Sequence, residues 1–200
     1  MTAGPVGARA PVPFTIGPNG TLFDPKFGIN PQIIATHSFS NAPPLDIIIV
    51  PGGTGDFVLD NQNNFTMEKF IAGRFGEAEY VLSVCTGATT LARAGVLKGR
   101  KATTNKSAWT WATDSRHGRD VQWVPNARWV EDGKVWTSSG VAAGMDMMYA
   151  FVGHYWGWEA ANGTVNGIEY TPHADKHWDA FAVVHDVSKM GSDLPTMVKL

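Results

Sequence analysis

Residues 80–101, YVLSVCTGATTLARAGVLKGRK, admit few folds. A β-favouring apolar run (Tyr80, Val81, Leu82, Val84) carries the single cysteine, Cys85, breaks at Thr86-Gly87, and resumes with helical character over 88–94 until Gly95 closes it. Strand, sharp turn and helix in direct succession form an elbow. A side chain there lies beside the helix's first free N–H groups and the positive end of its macrodipole, which favour a thiolate and lower its pKa. Cys85 thus has the setting of a nucleophile. A lone free cysteine is also commonly a small buried hydrophobe, and position alone leaves both readings open.

Upstream, LDIIIV over 45–50 is the unbroken branched run of a strand covered on both faces, which points to a parallel sheet. It feeds Pro51-Gly52-Gly53-Thr54-Gly55, too glycine-rich for regular structure and lacking both GxGxxG spacing and a Walker lysine. Bare N–H groups at Gly52 and Gly53 suit a substrate anion, while a plain strand-to-helix turn explains the same residues. Apolar spacing predicts a helix over 64–75, so the order is strand, helix, strand, helix. That order predicts a doubly wound α/β fold, mostly parallel, with helices on both faces. Sites in such folds form at the carboxyl ends of strands, where Gly52, Gly53 and Cys85 all fall.

The flanks are expected to follow suit. Residues 1–12 read as an irregular lead-in; 12–16 and 21–23 flank Asn19-Gly20 as a hairpin; 32–36 is a short strand. A strand at 101–104 precedes a helix holding Trp109 and Trp111, and Trp123, Trp129 and 135–137 suggest β structure turning at Glu131-Asp132-Gly133-Lys134. Ser138-Ser139-Gly140 opens a long helix over 141–158, its first turn a second anion seat, with another helix over 160–170. From Thr171 periodicity fades, and 179–200 reads as a tail of one domain spanning 1–200.

A net charge of −2 without like-charge runs gives no electrostatic case for nucleic acid or an anionic membrane. No apolar run reaches membrane-spanning length, one cysteine precludes an internal disulfide, and the first twenty residues lack a signal-peptide pattern, so a cytoplasmic location is expected. His173 and His177 have ligand-like spacing but no further ligand at a recognisable interval, so no metal is expected. Trp156 and Trp158 suit a core or a dimer contact.

SVCTGATTLARAGVLKGRKATTN, with IIIVPGG upstream and WTSSGVAAGMDMMYAFV downstream, resembles the ThiJ/PfpI superfamily, also called the class I glutamine amidotransferase-like fold, which is flavodoxin-like. Within it the run is most similar to the isonitrile hydratase-like branch, including fungal ThiJ/PfpI proteins, and to the sensory domains of AraC-type regulators. The resemblance implies that Cys85 is the elbow nucleophile and Thr86 the threonine that follows it in the hydratases, where peptidase-like members carry histidine. It implies that Gly52 and Gly53 supply backbone donors beside the thiol, and that Ser139 and Gly140 line the pocket. The implied reaction hydrates an isonitrile, a small electrophilic substrate, to an N-formyl amide without metal or organic cofactor, in a homodimer.

Two differences accompany the resemblance. Members begin with a strand and helix whose Asp or Glu hydrogen-bonds the cysteine, whereas this sequence starts about where that segment ends and has no acidic residue before Asp24. Asp56 or Asp146 is a candidate substitute, Asp146 reading rather as a structural hydrogen-bonder. Asn105 stands where glyoxalase-like relatives carry histidine, which disfavours glyoxalase or deglycase chemistry. The alternative is a non-catalytic thiol or redox sensor or interaction module. A regulator's sensory domain is set aside, since 171–200 is too short and aperiodic for a helix-turn-helix.

Overall fold

A computed structural model describes residues 35–187. The expected lead-in and hairpin, and most of the strand at 32–36, lie outside the described residues. Four strands make the main sheet in the order β1-β2-β6-β5: β1 (Ile47–Val50), β2 (Tyr80–Val84), β6 (Val135–Ser138) and β5 (Trp129–Asp132). β1, β2 and β6 run parallel, while β5 returns antiparallel to β6 through the predicted turn, with Gly133 at φ 60°. β3 (Lys101–Ala102) and β4 (Gln122–Trp123) form a separate parallel pair.

Alternation along the strands splits the core in two. Val81, one residue before Leu82, faces the opposite side of the sheet because strand side chains alternate. Ile48, Val50, Val81 and Val135 pack with Ile71 of α2 (Thr66–Arg74) and with Leu91 and Ala92 of α3 (Gly87–Arg93). Leu82, Trp129 and Trp136 pack with Met147 and Phe151 of α5 (Val141–Trp156). Leu82 and Val81 are fully buried, each worth about 1.5–3 kcal/mol. Helices on both faces of a mostly parallel sheet are the doubly wound architecture that the strand-helix order implied.

The structure departs from the sequence reading in three places. Thr54–Asn61 is a helix, α1, where the glycines had suggested irregular chain up to residue 55 and no helix before 64. The long helix stops at Trp156, because Gly157 at φ 90° turns the chain into α6 (Trp158–Gly167). The expected tail contains α7 (Ala180–Val184), started by Asp179, whose carboxylate accepts from the Phe181 N–H. A short α4 (Trp109–Ala112) holds Trp109 and Trp111 as expected. No helix among the described residues is long and apolar enough to cross a membrane.

Candidate active site

β2 ends by donating from the Cys85 N–H to the Ser138 carbonyl at 3.2 Å, and there the backbone flips. Cys85 adopts φ 60°, the left-handed region that L-residues avoid, so the elbow is a strained turn that the surrounding contacts hold in place. Two glycines let those contacts close. A β-carbon on Gly87 would stand 2.3 Å from the Val50 carbonyl oxygen, and one on Gly52 would stand 2.5 Å from the Thr86 nitrogen and 2.8 Å from the Cys85 β-carbon. The carboxyl ends of β1 and β2 therefore meet at backbone distance, as the two glycine-bearing turns had suggested. The Thr104 hydroxyl donates to the Cys85 carbonyl at 3.0 Å and fixes the third side.

Thr86 occupies the centre of a hydrogen-bonded chain. Its Oγ1 accepts from the Gly53 N–H at 2.9 Å and donates to Asp56 Oδ2 at 2.5 Å. Asp56 lies in the first turn of α1 and is buried. Burial pushes its carboxyl from 3.8 up to about 6, against the hydrogen bonds from Thr86 and the Gly53 backbone; Glu68 adds to the rise and Arg93 opposes it. Burial also pushes the Cys85 thiol up, and the Asp56 charge adds to this, against the opposing pull of Thr86 and of the Asn105 side chain. The expected lowering by a helix N-terminus is thus overturned. α3 has only seven residues, and desolvation of the partly buried thiol is the largest influence on its ionisation.

Cys85, Thr86 and Gly53 line one cavity of about 500 Å³, together with Phe57, Asn105 and Trp111. Phe57 and Trp111 stack with ring centroids 3.9 Å apart and make its apolar wall. Gly52 stands behind the elbow rather than in the cavity wall. Ser139 and Gly140 line a neighbouring cavity of about 240 Å³ that shares Asn105 and Ser107 with the first.

Of the two carboxylates named as substitutes, Asp146 is fully buried and committed to structure. It accepts from Arg128 Nε at 2.5 Å, the Tyr170 hydroxyl at 2.5 Å and the His173 N–H at 2.7 Å. Asp56 is the one at the site. Asn105, Phe57 and Trp111 were not singled out as lining residues. Asn105 carried a signal, since it directly follows the short strand at 101–104, while the two aromatics are brought in by the packing of α1 against α4. Among the described residues no group of three or more His, Cys, Asp or Glu side chains is placed to hold a metal.

Residues 15–154 match the model of the DJ-1/PfpI family. The chain is 34% identical over 141 residues to an isonitrile hydratase of Pseudomonas putida, covering 70% of this chain and 59% of that protein. It is 32% identical over 119 residues to a deglycase of Pyrococcus horikoshii, covering 59% of this chain and 66% of the deglycase. The chain therefore spans less than two thirds of the length of either relative. A ThiJ/PfpI family protein from Pseudomonas syringae superposes with a TM-score of 0.60 at 27% identity, covering 80% of this chain and 65% of that one.

Proposed function

The chain belongs to the DJ-1/PfpI family, and from that premise we propose that it hydrates an isonitrile to an N-formyl amide with Cys85 as nucleophile. The observation that carries this reading is the strained elbow. Cys85 at this elbow lines a mostly apolar cavity together with Thr86 and Asn105. The Phe57–Trp111 wall suits the organic group of the substrate.

Sulfur bonds to the terminal isonitrile carbon, that carbon takes one proton, and the carbon–nitrogen triple bond becomes double. Water then adds across this thioimidate, its hydroxyl to carbon and its proton to nitrogen. The C–S bond breaks as the hydroxyl gives up its proton, releasing the N-formyl amide and the cysteine. Negative charge builds at sulfur when it leaves, a charge that Thr86 and the Asn105 side chain favour. Thr86 in place of the peptidase-type histidine, and Asn105 in place of the glyoxalase-type histidine, both favour hydration over proteolysis or deglycation.

The test is incubation with a small alkyl isonitrile while following the N-alkylformamide by proton NMR. Formamide is expected from the wild type and only background from Cys85→Ala. A wild type that makes none, or a variant that keeps the full rate, overturns the proposal.

A further inference from the structure

We propose that Asp56, acting through the Thr86 hydroxyl, holds the proton that the Cys85 reaction gives to its substrate and takes back. This assignment rests on the hydration reading and supplies the acid that it leaves open. Three observations carry it. Thr86 Oγ1 donates to Asp56 Oδ2 at 2.5 Å in a buried contact, and Thr86 directly follows Cys85 and lines the same cavity, so one side chain separates the carboxyl from the reacting centre. The Gly53 N–H donates to Thr86 Oγ1 at 2.9 Å and fixes the hydroxyl's orientation, leaving its proton for transfer. Thr86 lines the cavity, whereas Asp56 does not, so the carboxyl acts behind Thr86 as a positioning residue.

The proton inventory closes over one turnover. Resting enzyme holds one proton between the Asp56 carboxyl and the Cys85 sulfur, because each charge disfavours the other. With the proton on Asp56, sulfur attacks as thiolate. Thr86 then gives its hydroxyl proton to the new C–H bond while Asp56 replaces it, leaving a carboxylate. In the second half, the carboxylate takes a proton through Thr86 from the hydroxyl of the tetrahedral adduct as the thiolate departs, restoring the start. The groups facing Asp56 are Thr86 and Cys85 on the elbow, Gly53 before α1, Glu68 on α2 and Arg93 on α3. Arg93 ion-pairs with Glu68 at 3.1 Å and with Asp60 at 3.1 Å, which spends its charge on other carboxylates and leaves Asp56 free to cycle.

Asp56→Asn separates this role from a merely structural one because two readouts move in opposite directions. Removing the carboxylate lifts its repulsion of the thiolate, so the pH midpoint for Cys85 alkylation by iodoacetamide is expected to fall by at least about half a unit. Removing the proton reserve slows formamide formation, by roughly 10²-fold, and flattens the acid limb of its pH profile. Asp56→Glu is expected to recover part of the turnover, with urea denaturation checking that both variants fold. An unchanged alkylation midpoint in folded Asp56→Asn, or turnover with the wild-type pH profile, overturns the proposal. Should the wild type make no formamide at all, the hydration reading fails by itself, and the alkylation midpoint still decides whether Asp56 is coupled to Cys85.

Discussion

At Cys85 the φ of 60° crowds the β-carbon, a strain that costs roughly 1–3 kcal/mol wherever tertiary contacts must impose it. Glycine alone escapes that cost. Cys85→Gly is therefore expected to be more stable than Cys85→Ala by about 1 kcal/mol in urea denaturation, although both remove the sulfur. Equal stabilities would mean the elbow relaxes without its side chain. Gly52→Ala attacks the same turn from β1, since the new β-carbon would lie 2.5 Å from the Thr86 nitrogen and 2.6 Å from its hydroxyl. Backbone must move, so the variant is expected to fold with a loss of about 1–3 kcal/mol and to lose most of its formamide production. Cys85, Thr86 and Gly53 were legible because strand ends and glycine turns announce themselves locally. Asp56 was named only among substitutes, because its burial depends on a helix that the glycines of residues 52–55 concealed.

Elements were legible where local pattern and tertiary role agree. Branched runs gave β1 and β2, and Glu131-Asp132-Gly133-Lys134 gave the β5–β6 turn, since both signals are short-range. The stop after α5 was hidden, because Trp156 and Trp158 continue the apolar pattern across Gly157 and only a φ of 90° shows that the chain turns. That turn brings Trp158 onto α5, where a β-carbon on Gly153 would stand 2.5 Å from its ring. Gly153→Ala is therefore expected to lower the urea midpoint by an amount worth about 1–3 kcal/mol, leaving Cys85 alkylation near wild type. Alkylation that falls in step with stability would show the two helices to be coupled to the elbow. Asp146 binds the other end of α5 to Arg128, just before β5, and to Tyr170 and the His173 backbone in the chain after α6. Asp146→Ala, which leaves the buried Arg128 guanidinium only the Asp179 carboxylate at 3.9 Å, is expected to cost about 3 kcal/mol by the same measurement.

For the whole molecule, these buried groups set how stability varies with pH. A carboxyl whose folded pKa lies above its unfolded one binds more protons in the native state, so stability falls as pH rises between the two values. For Asp56 that window runs from 3.8 to about 6, and the interval corresponds to a loss of about 3 kcal/mol once pH 7 is reached. Asp60 pulls the other way at the acid end: burial opposes its ionisation, but His117, Arg93 and Arg116 hold its carboxyl below the usual value, so its contribution disappears as pH falls. Lys106, whose ammonium burial pushes down to about 8 against the pull of Asp179, acts only at the alkaline end, where stability rises between about 8 and 10.5. A wild-type profile sums these with the other shifted groups, Cys85 among them, and identifies none. The difference between Asp56→Asn and wild type cancels Asp60 and Lys106, because neither is the substituted group. Measured by urea denaturation, the stability of Asp56→Asn relative to wild type is expected to improve by about 2.4 kcal/mol from pH 4 to pH 7. A difference that stays flat across that range would mean that Asp56 ionises in the fold as it does in the unfolded chain, and that the proton assigned to it is held elsewhere.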